Sequence, residues 1–458
     1  MRKRWNGLGL VLIAVLVATP AYAQLSETEL RLRAMEEKIN ALFQKDPRAN
    51  YGPHGVRTTR EVQFAYGSKG FHFETGNGLF STNLAWRAQM RYSGWNRSDP
   101  RTLSAFSARD VHNFEGRRLR MKIGGHGYKK WIKYYFEIDL QPSRAVGATG
   151  GTNAASSRVI DWRLDVQPWE WFGFRLGQWK INFNRERVDS SGKQQFVERS
   201  IVNRIFTIDR QVGIMAQGHL FKGTLADLRY YAGVFNGEGR AVNNPDENMM
   251  YMGRLQWNFL GRDLKWRQSD VTRHKKPAGS IAFAAAQNNG VCTRWSSAGC
   301  GALGGFTAPT AAAREQFNID QYVEEFAFKW RGLSIQHEYH WKNIRDTAST
   351  RDLHLWGSYS QVGYFFNELF EAIPPELEVA FRYAFVSEPD STDIDAPGRN
   401  QNLREEFTWA VNYFIAGHNN KVTLDFSYLT IADASGLIAG GPWWDDDKRI
   451  RLQWDITF

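Results

Sequence analysis

From residue 82 to the C-terminus, apolar and polar residues alternate with a period of two in one stretch after another. The last segment shows it most plainly: Ile450, Leu452, Trp454, Ile456 and Phe458 alternate with Arg449, Arg451, Gln453, Asp455 and Thr457. Leu84, Trp86, Ala88, Met90 and Tyr92 alternate with Ala85, Arg87, Gln89 and Arg91, and Ile132, Tyr134, Phe136, Ile138 and Leu140 with Lys133, Tyr135, Glu137 and Asp139. Leu377, Val379, Phe381, Tyr383 and Phe385 do the same around Glu378 and Arg382. Successive strand side chains point to opposite faces, so each segment separates an apolar face from a polar one. Soluble sandwiches also alternate, but with strands of about five or six residues. These segments run to about ten to fourteen, the length a tilted strand needs to cross a bilayer.

Sixteen such segments are expected, at 82–95, 113–127, 131–141, 158–168, 172–182, 210–222, 225–236, 248–260, 278–287, 317–331, 333–346, 352–366, 376–388, 402–416, 420–432 and 446–458. Tight turns at Tyr128 to Lys130, Trp169 to Trp171, Lys222 to Thr224, Gly332 and Gly417 to Asn419 alternate with long Gly/Ser/Asp-rich loops, the longest at 183–209 and 288–316. An even strand count with short turns on one side and long loops on the other describes an all-β fold, a 16-stranded antiparallel transmembrane β-barrel. The connection at 261–277 is long for its side. A last strand ending in Phe458 also resembles the recognition signal of bacterial outer-membrane barrels.

Ahead of the barrel, Arg2, Lys3 and Arg4 precede an apolar stretch from Leu8 to Ala18 and a small-x-small site at Ala21, Tyr22 and Ala23. This reads as a signal peptide over 1–23, with the mature chain beginning at Gln24. Residues 24–46 are expected to form a short periplasmic helix, amphipathic or coiled-coil: Leu25, Leu32 and Ile39 share one heptad position, Thr28, Met35 and Leu42 the other. A linker and N-terminal periplasmic segment follows at 47–81, with Gly67 to Gly78 irregular or weakly β, and the barrel domain occupies 82–458.

With 30 Phe, 18 Trp and 17 Tyr, the chain is no disordered polymer, and beyond residue 19 no apolar run is long enough for a spanning helix. A net charge of +10 could suit nucleic acid, but a secretory signal removes the chain from it. In an oxidising compartment Cys292 and Cys300, the only two cysteines, are expected to form a local disulfide; no metal site is expected, since no His lies between them. The run Gly299 to Gly304 matches a dinucleotide fingerprint as a string but follows no convincing strand.

Sixteen strands leave an aqueous lumen, so function rests on what points inward. Alternation directs Arg87, Arg91, Arg118, Arg120, Lys122, Arg175, Arg229, Arg254, Arg382, Arg449 and Arg451 there, along with Glu137, Asp139, Asp161, Asp165 and Asp227. The guanidinium fork suits phosphate and carboxylate oxygens, and a column of such groups lets an anion exchange one partner for the next. The same residues could equally form a generic electropositive wall. The carboxylates could set a transverse field or simply pair with Arg and Lys on adjacent strands.

Several segments resemble the family of phosphate-selective porins O and P. They are Phe114-Glu-Gly-Arg-Arg-Leu-Arg-Met-Lys-Ile-Gly-Gly125, then Lys130-Trp-Ile-Lys-Tyr-Tyr-Phe-Glu-Ile-Asp139, then Phe174-Arg-Leu-Gly-Gln-Trp-Lys-Ile-Asn-Phe183. Ser190-Ser191, Val197-Glu-Arg199 and Asp209-Arg-Gln-Val-Gly-Ile214 follow in order. The resemblance implies a homotrimeric outer-membrane channel for phosphate or related anions, with an arginine ladder and a basic constriction on an inward-folded third loop. By position it implies that Arg87 belongs to the ladder and that Arg117 and Arg118 are the paired arginines opening the second strand. It puts Arg187, in Asn184-Arg-Glu-Arg187, where the family has a constriction lysine. On the loop at 288–316, where the family has several arginines, this chain has only Arg294 and Arg314.

The candidate anion-binding set is therefore Arg87, Arg91, Arg117, Arg118, Arg120, Lys122, Arg175, Lys180, Arg185 and Arg187. Arg185 and Arg187 are expected to line the narrowest part of the channel. The expected function is an outer-membrane diffusion channel for small anions, phosphate or other oxyanions; the alternative is a general or carbohydrate porin without oxyanion selectivity. An enzyme is not expected. No Gly-x-Ser-x-Gly occurs, and His337 and His340, one residue short of a zinc-protease spacing, would point to opposite faces of a strand. A wall-anchoring scaffold has no use for inward arginines. No cofactor is expected, and the partners are small anions, outer-membrane lipid and further copies of the chain.

Overall fold

The computed structural model describes residues 62–67, 69–95, 106, 112–140, 158–349, 351–389, 401–432 and 444–458, with Ala34 and Met35. The expected signal peptide at 1–23 lies outside the described residues. So do the helix at 24–46, apart from Ala34 and Met35, and the linker as far as residue 61.

Two strands, β1 (Val62–Gly67) and β2 (Gly70–Thr75), precede the barrel. The barrel strands that follow are β3 (Phe80–Trp95), β4 (Asn113–Gly127), β5 (Lys129–Asp139), β6 (Arg158–Val166), β7 (Gly173–Lys180), β8 (Arg210–Leu220), β9 (Leu228–Phe235), β10 (Met250–Trp257) and β11 (Ala278–Gly290). A separate hairpin, β12 (Arg294–Ser296) and β13 (Gly299–Gly301), sits in the next loop. The sheet continues through β14 (Phe317–Trp330), β15 (Leu333–Asp346), β16 (Arg351–Tyr364), β17 (Leu377–Pro389), β18 (Gln401–His418), β19 (Asn420–Ala432) and β20 (Trp444–Thr457).

Each barrel strand pairs antiparallel with the next, and β20 returns to β3 with Arg451 opposite Ser93 and Thr457 opposite Arg87. The sixteen strands close, as the alternation predicts, and closure leaves the sheet no open edge toward lipid. At the seam, Trp86 and Phe458 exchange backbone hydrogen bonds of 3.0 and 2.8 Å. β20 pairs with β3 only from Arg87 to Trp95, which leaves the start of β3 to another strand. β2 takes that place, with Phe71 opposite Leu84 and Glu74 opposite Ser81. The segment read as irregular or weakly β thus contributes a strand, paired with the start of β3.

The interior is filled unevenly. The third loop, 181–209, folds inward with two short helices, α1 (Arg185–Val188) and α2 (Val202–Phe206). Its Ile181, Phe183, Ile205 and Phe206 pack with Trp295, Phe317, Ile344 and Tyr359 in an apolar core inside the barrel. The loop between β11 and β14 enters this core through Trp295, whose Nε1 donates to Gly237 O at 2.6 Å. Cys292 and Cys300 are joined by a disulfide in the same loop. From the tight-turn side, the long connection 258–277 also turns inward, and Arg267 pairs with Asp189 of the third loop. The space left open lies along β3 to β9.

Candidate functional site

On β3 and β4 the cationic side chains stack along the open wall. Gln89 lies opposite Arg118, Arg87 opposite Arg120 and Ala85 opposite Lys122. Strict alternation would send Arg117 to the lipid face. The register shifts instead, so that Gln89 pairs Arg118 while Met90 pairs Gly116, and Arg117 is the extra residue of a β-bulge. Two consecutive arginines therefore turn inward. Both meet Glu198 of the third loop: Arg117 Nε donates to Oε1 at 2.7 Å and Arg118 Nη2 to Oε2 at 3.0 Å. Arg91 Nη2 donates to the same carboxylate at 2.8 Å. Burial alone would raise the Glu198 carboxyl, yet Arg118, Arg117 and Arg91 hold it well below the usual carboxylate range.

Next along the wall, Arg120 donates to Glu137 at 2.9 Å. Arg87 is gripped by the loop, donating from Nη1 to Ser190 Oγ at 2.8 Å and from Nη2 to Ser191 Oγ at 2.9 Å. Gly192 fits beside it because a Cβ there would lie 2.8 Å from Arg87 Cδ. Arg175 pairs with Asp165, and Lys180 donates to the carbonyls of Arg187, Val188 and Asp189.

Wall carboxylates on the opposite side pin the loop backbone. Glu325 accepts from Arg185 N, Glu338 from Glu186 N, Asp425 from Val197 N and Glu406 from Ile201 N, at 2.6 to 3.0 Å. Arg185 is 1% exposed, 3.7 Å from Glu325, and donates to Lys265 O and Ser280 Oγ. Arg187 forms a two-point pair with Asp209. Neither arginine lines the two cavities that the described residues enclose along β3 to β9.

Two cavities, of about 810 and 490 Å³, share Lys122, Tyr135, Arg163 and Lys193 in their walls. The larger opens among Lys69, Arg87, His126 and Lys133 near the tight-turn end, and the second lies against Arg120, Arg175, Lys180, Arg229 and Arg267. Together eleven Lys and Arg side chains line them, against three carboxylates, Glu137, Asp161 and Asp165. Among the described residues, no side chain or carbonyl accepts a hydrogen bond from the ammonium of Lys122 or Lys193. Burial lowers the Lys193 ammonium to about 8, with Arg267 and Arg87 adding to the shift and Asp189 opposing it.

Of the residues singled out from sequence, Arg87, Arg120, Lys122, Arg175 and Lys180 line the cavities. Arg91, Arg117 and Arg118 form the Glu198 cluster, and Arg185 and Arg187 lie in the buried bracing. Lys193, Arg163 and Arg267 join the site without having been singled out. For Lys193 a signal was present: a lysine directly after Ser190, Ser191 and Gly192, small polar residues in the inward-folded third loop.

The family described as phosphate-selective porin O and P matches residues 91–435. No curated protein matches the chain significantly. Among solved structures, the outer membrane channel DcaP of Acinetobacter baumannii superposes with a TM-score of 0.53 at 12% identity, covering 84% of this chain and 99% of that one. A loop-deletion mutant of OmpT, an outer membrane protein of Vibrio cholerae, gives 0.52 at 9% identity, covering 83% and 100%. The trimer form of OmpT gives 0.51 at 8% identity, covering 83% and 99%. These likenesses are of fold.

Proposed function

The chain belongs to the phosphate-selective porin O and P family, which makes it a channel of the bacterial outer membrane, and we propose that it passes small anions, phosphate and other oxyanions among them. The observation that carries this reading is the excess of eleven cationic over three acidic side chains around the open space. In a narrow aqueous passage the effective dielectric lies below that of bulk water, so such an excess enriches anions and depletes cations. The cations divide into two kinds. Arg120 and Arg175 keep carboxylate partners and shape the wall, whereas Lys122 and Lys193 form no ion pair among the described residues, although Glu137 stands opposite Lys122 on β5. An oxyanion passing between the cavities would meet these two ammoniums at the shared wall and exchange between them. This moves the third-loop role from Arg185 and Arg187, which brace the loop, to Lys193.

A homotrimer is part of the proposal, on the family and on the trimeric OmpT fold relative. The test is single-channel chloride current with phosphate added at constant ionic strength. Under this reading phosphate reduces chloride current in a saturable way. Current indifferent to phosphate would favour a general anion pore.

A further inference from the structure

The stretch that carries Lys193 is held from two sides. Ahead of it, Arg87 grips Ser190 and Ser191, and Gln89 Nε2 donates to Ser191 O at 3.0 Å. Lys193 N donates to Ser190 O at 2.8 Å, which closes a turn through Ser191 and Gly192. Behind it, Lys421 Nζ donates to Gln194 O, and Gln195 N donates to Gln268 Oε1 at 2.7 Å. The Gln195 side chain is tied to Ser334 and Glu378, but among the described residues its backbone N–H meets Gln268 alone. From Ser191 to Val197 every residue is buried except Lys193, which keeps partial exposure at the wall the two cavities share.

Gln268 belongs to the connection between β10 and β11, which enters from the tight-turn end and is itself fastened to the wall. Lys329 Nζ donates to Ser269 O at 2.9 Å, Ser269 Oγ to Glu378 at 2.8 Å and Gly332 N to Asp270 at 2.9 Å. A backbone N–H can only donate, so Gln195 N fixes the Gln268 amide with its oxygen toward the third loop. The other end of that amide gains nothing. Gln268 is 2% exposed, and its Nε2 meets no hydrogen-bond partner among the described residues. A buried unpaired donor costs stability, so its placement calls for a reason other than packing.

We infer that Gln268 is a positioning residue for anion passage: through Gln195 it fixes the stretch from which Lys193 reaches the shared wall. An ammonium on a flexible four-carbon stem gains a defined position only where its backbone is fixed. Placement sharpens affinity for phosphate, whereas preference for anions over cations follows from the charge and is kept. The inference rests on the anion passage proposed above.

The test uses the full-length protein in planar bilayers and reads the phosphate concentration that half-saturates the loss of chloride current. Gln268→Met keeps the length of the side chain and removes the acceptor. It should raise that concentration roughly fivefold, the equivalent of one net hydrogen bond, at an unchanged KCl reversal potential. Lys193→Ala and the double variant Lys193→Ala with Gln268→Met should respond to phosphate alike. Gln268→Asn, which draws the carbonyl back by one methylene, repeats the test if the Met variant does not assemble. An unchanged half-saturation in the Gln268 variant, or a further rise in the double variant, overturns the inference and leaves the passage standing. A reversal potential that moves with the half-saturation marks general loosening of the loop and also overturns it. Parent current indifferent to phosphate overturns the passage itself.

Discussion

Arg117 and Arg118 are neighbours in the chain, yet both reach the carboxylate of Glu198, because Arg117 is the extra residue of a β-bulge. With Arg91 they place three positive charges against two carboxylates, Glu198 and Glu115, so the cluster fixes the third loop and still leaves a surplus of one positive charge. Replacing Glu198 by Gln should cost on the order of 3 kcal/mol, since buried guanidiniums lose their partner. Denaturant unfolding in detergent measures that cost. Reversal potentials on the same variant should show anion preference maintained or increased; a fall in preference would mean that Glu198 helps admit anions.

Arg185 and Arg187 make the opposite prediction. Each is paired with a wall carboxylate or loop aspartate away from the open space. Arg185→Ala leaves Glu325 with one fewer cation and should destabilise by about 3 kcal/mol, with anion preference within roughly twofold of the parent. Loss of selectivity at unchanged stability would return these arginines to the pathway.

Lys193 should make anion preference depend on pH. Its ammonium titrates at about 8, so the charge is present below that pH and is lost as pH rises through it. Selectivity for anions should therefore decline between about pH 7 and 9. In Lys193→Arg, whose guanidinium stays charged, the decline should shrink. A decline of equal size in the Arg variant would assign the titration to another group.

Cys292 and Cys300 close the stretch that carries Trp295 into the interior core. Replacing both by Ser should cost about 2–3 kcal/mol in the chain-entropy account. Thermal unfolding with and without reductant checks this: the parent should shift on reduction and the double variant should not.

The strand plan was legible in the sequence because it is local. Alternation and tight turns marked β4, β15 and β19 to the residue, at 113–127, 333–346 and 420–432. Inward charges such as Arg87 and Arg120 followed from the same period. A bulge breaks that period without leaving a mark in composition, which is why alternation alone would have turned Arg117 outward. Loop arginines were harder still. Arg185 finds Glu325 across 140 residues, and nothing near Asn184 in the chain reveals that a partner waits on β14. The strand β2 was hidden because it is only six residues long and Gly70 and the Gly76–Gly78 turn interrupt the alternation around it.

On the proposed reading, the unpaired ammoniums of Lys122 and Lys193 make the passage selective for anions. This is tested most directly by the zero-current potential of reconstituted channels under a steep KCl gradient, for the parent and for Lys122→Glu with Lys193→Glu. Each charge is expected to bias ion occupancy by roughly 1 kcal/mol in a narrow aqueous pore. The parent potential should have the sign of chloride permeation, and the double variant should fall to zero or reverse. A cation-selective parent, or a double variant with the parent's potential, would contradict the account.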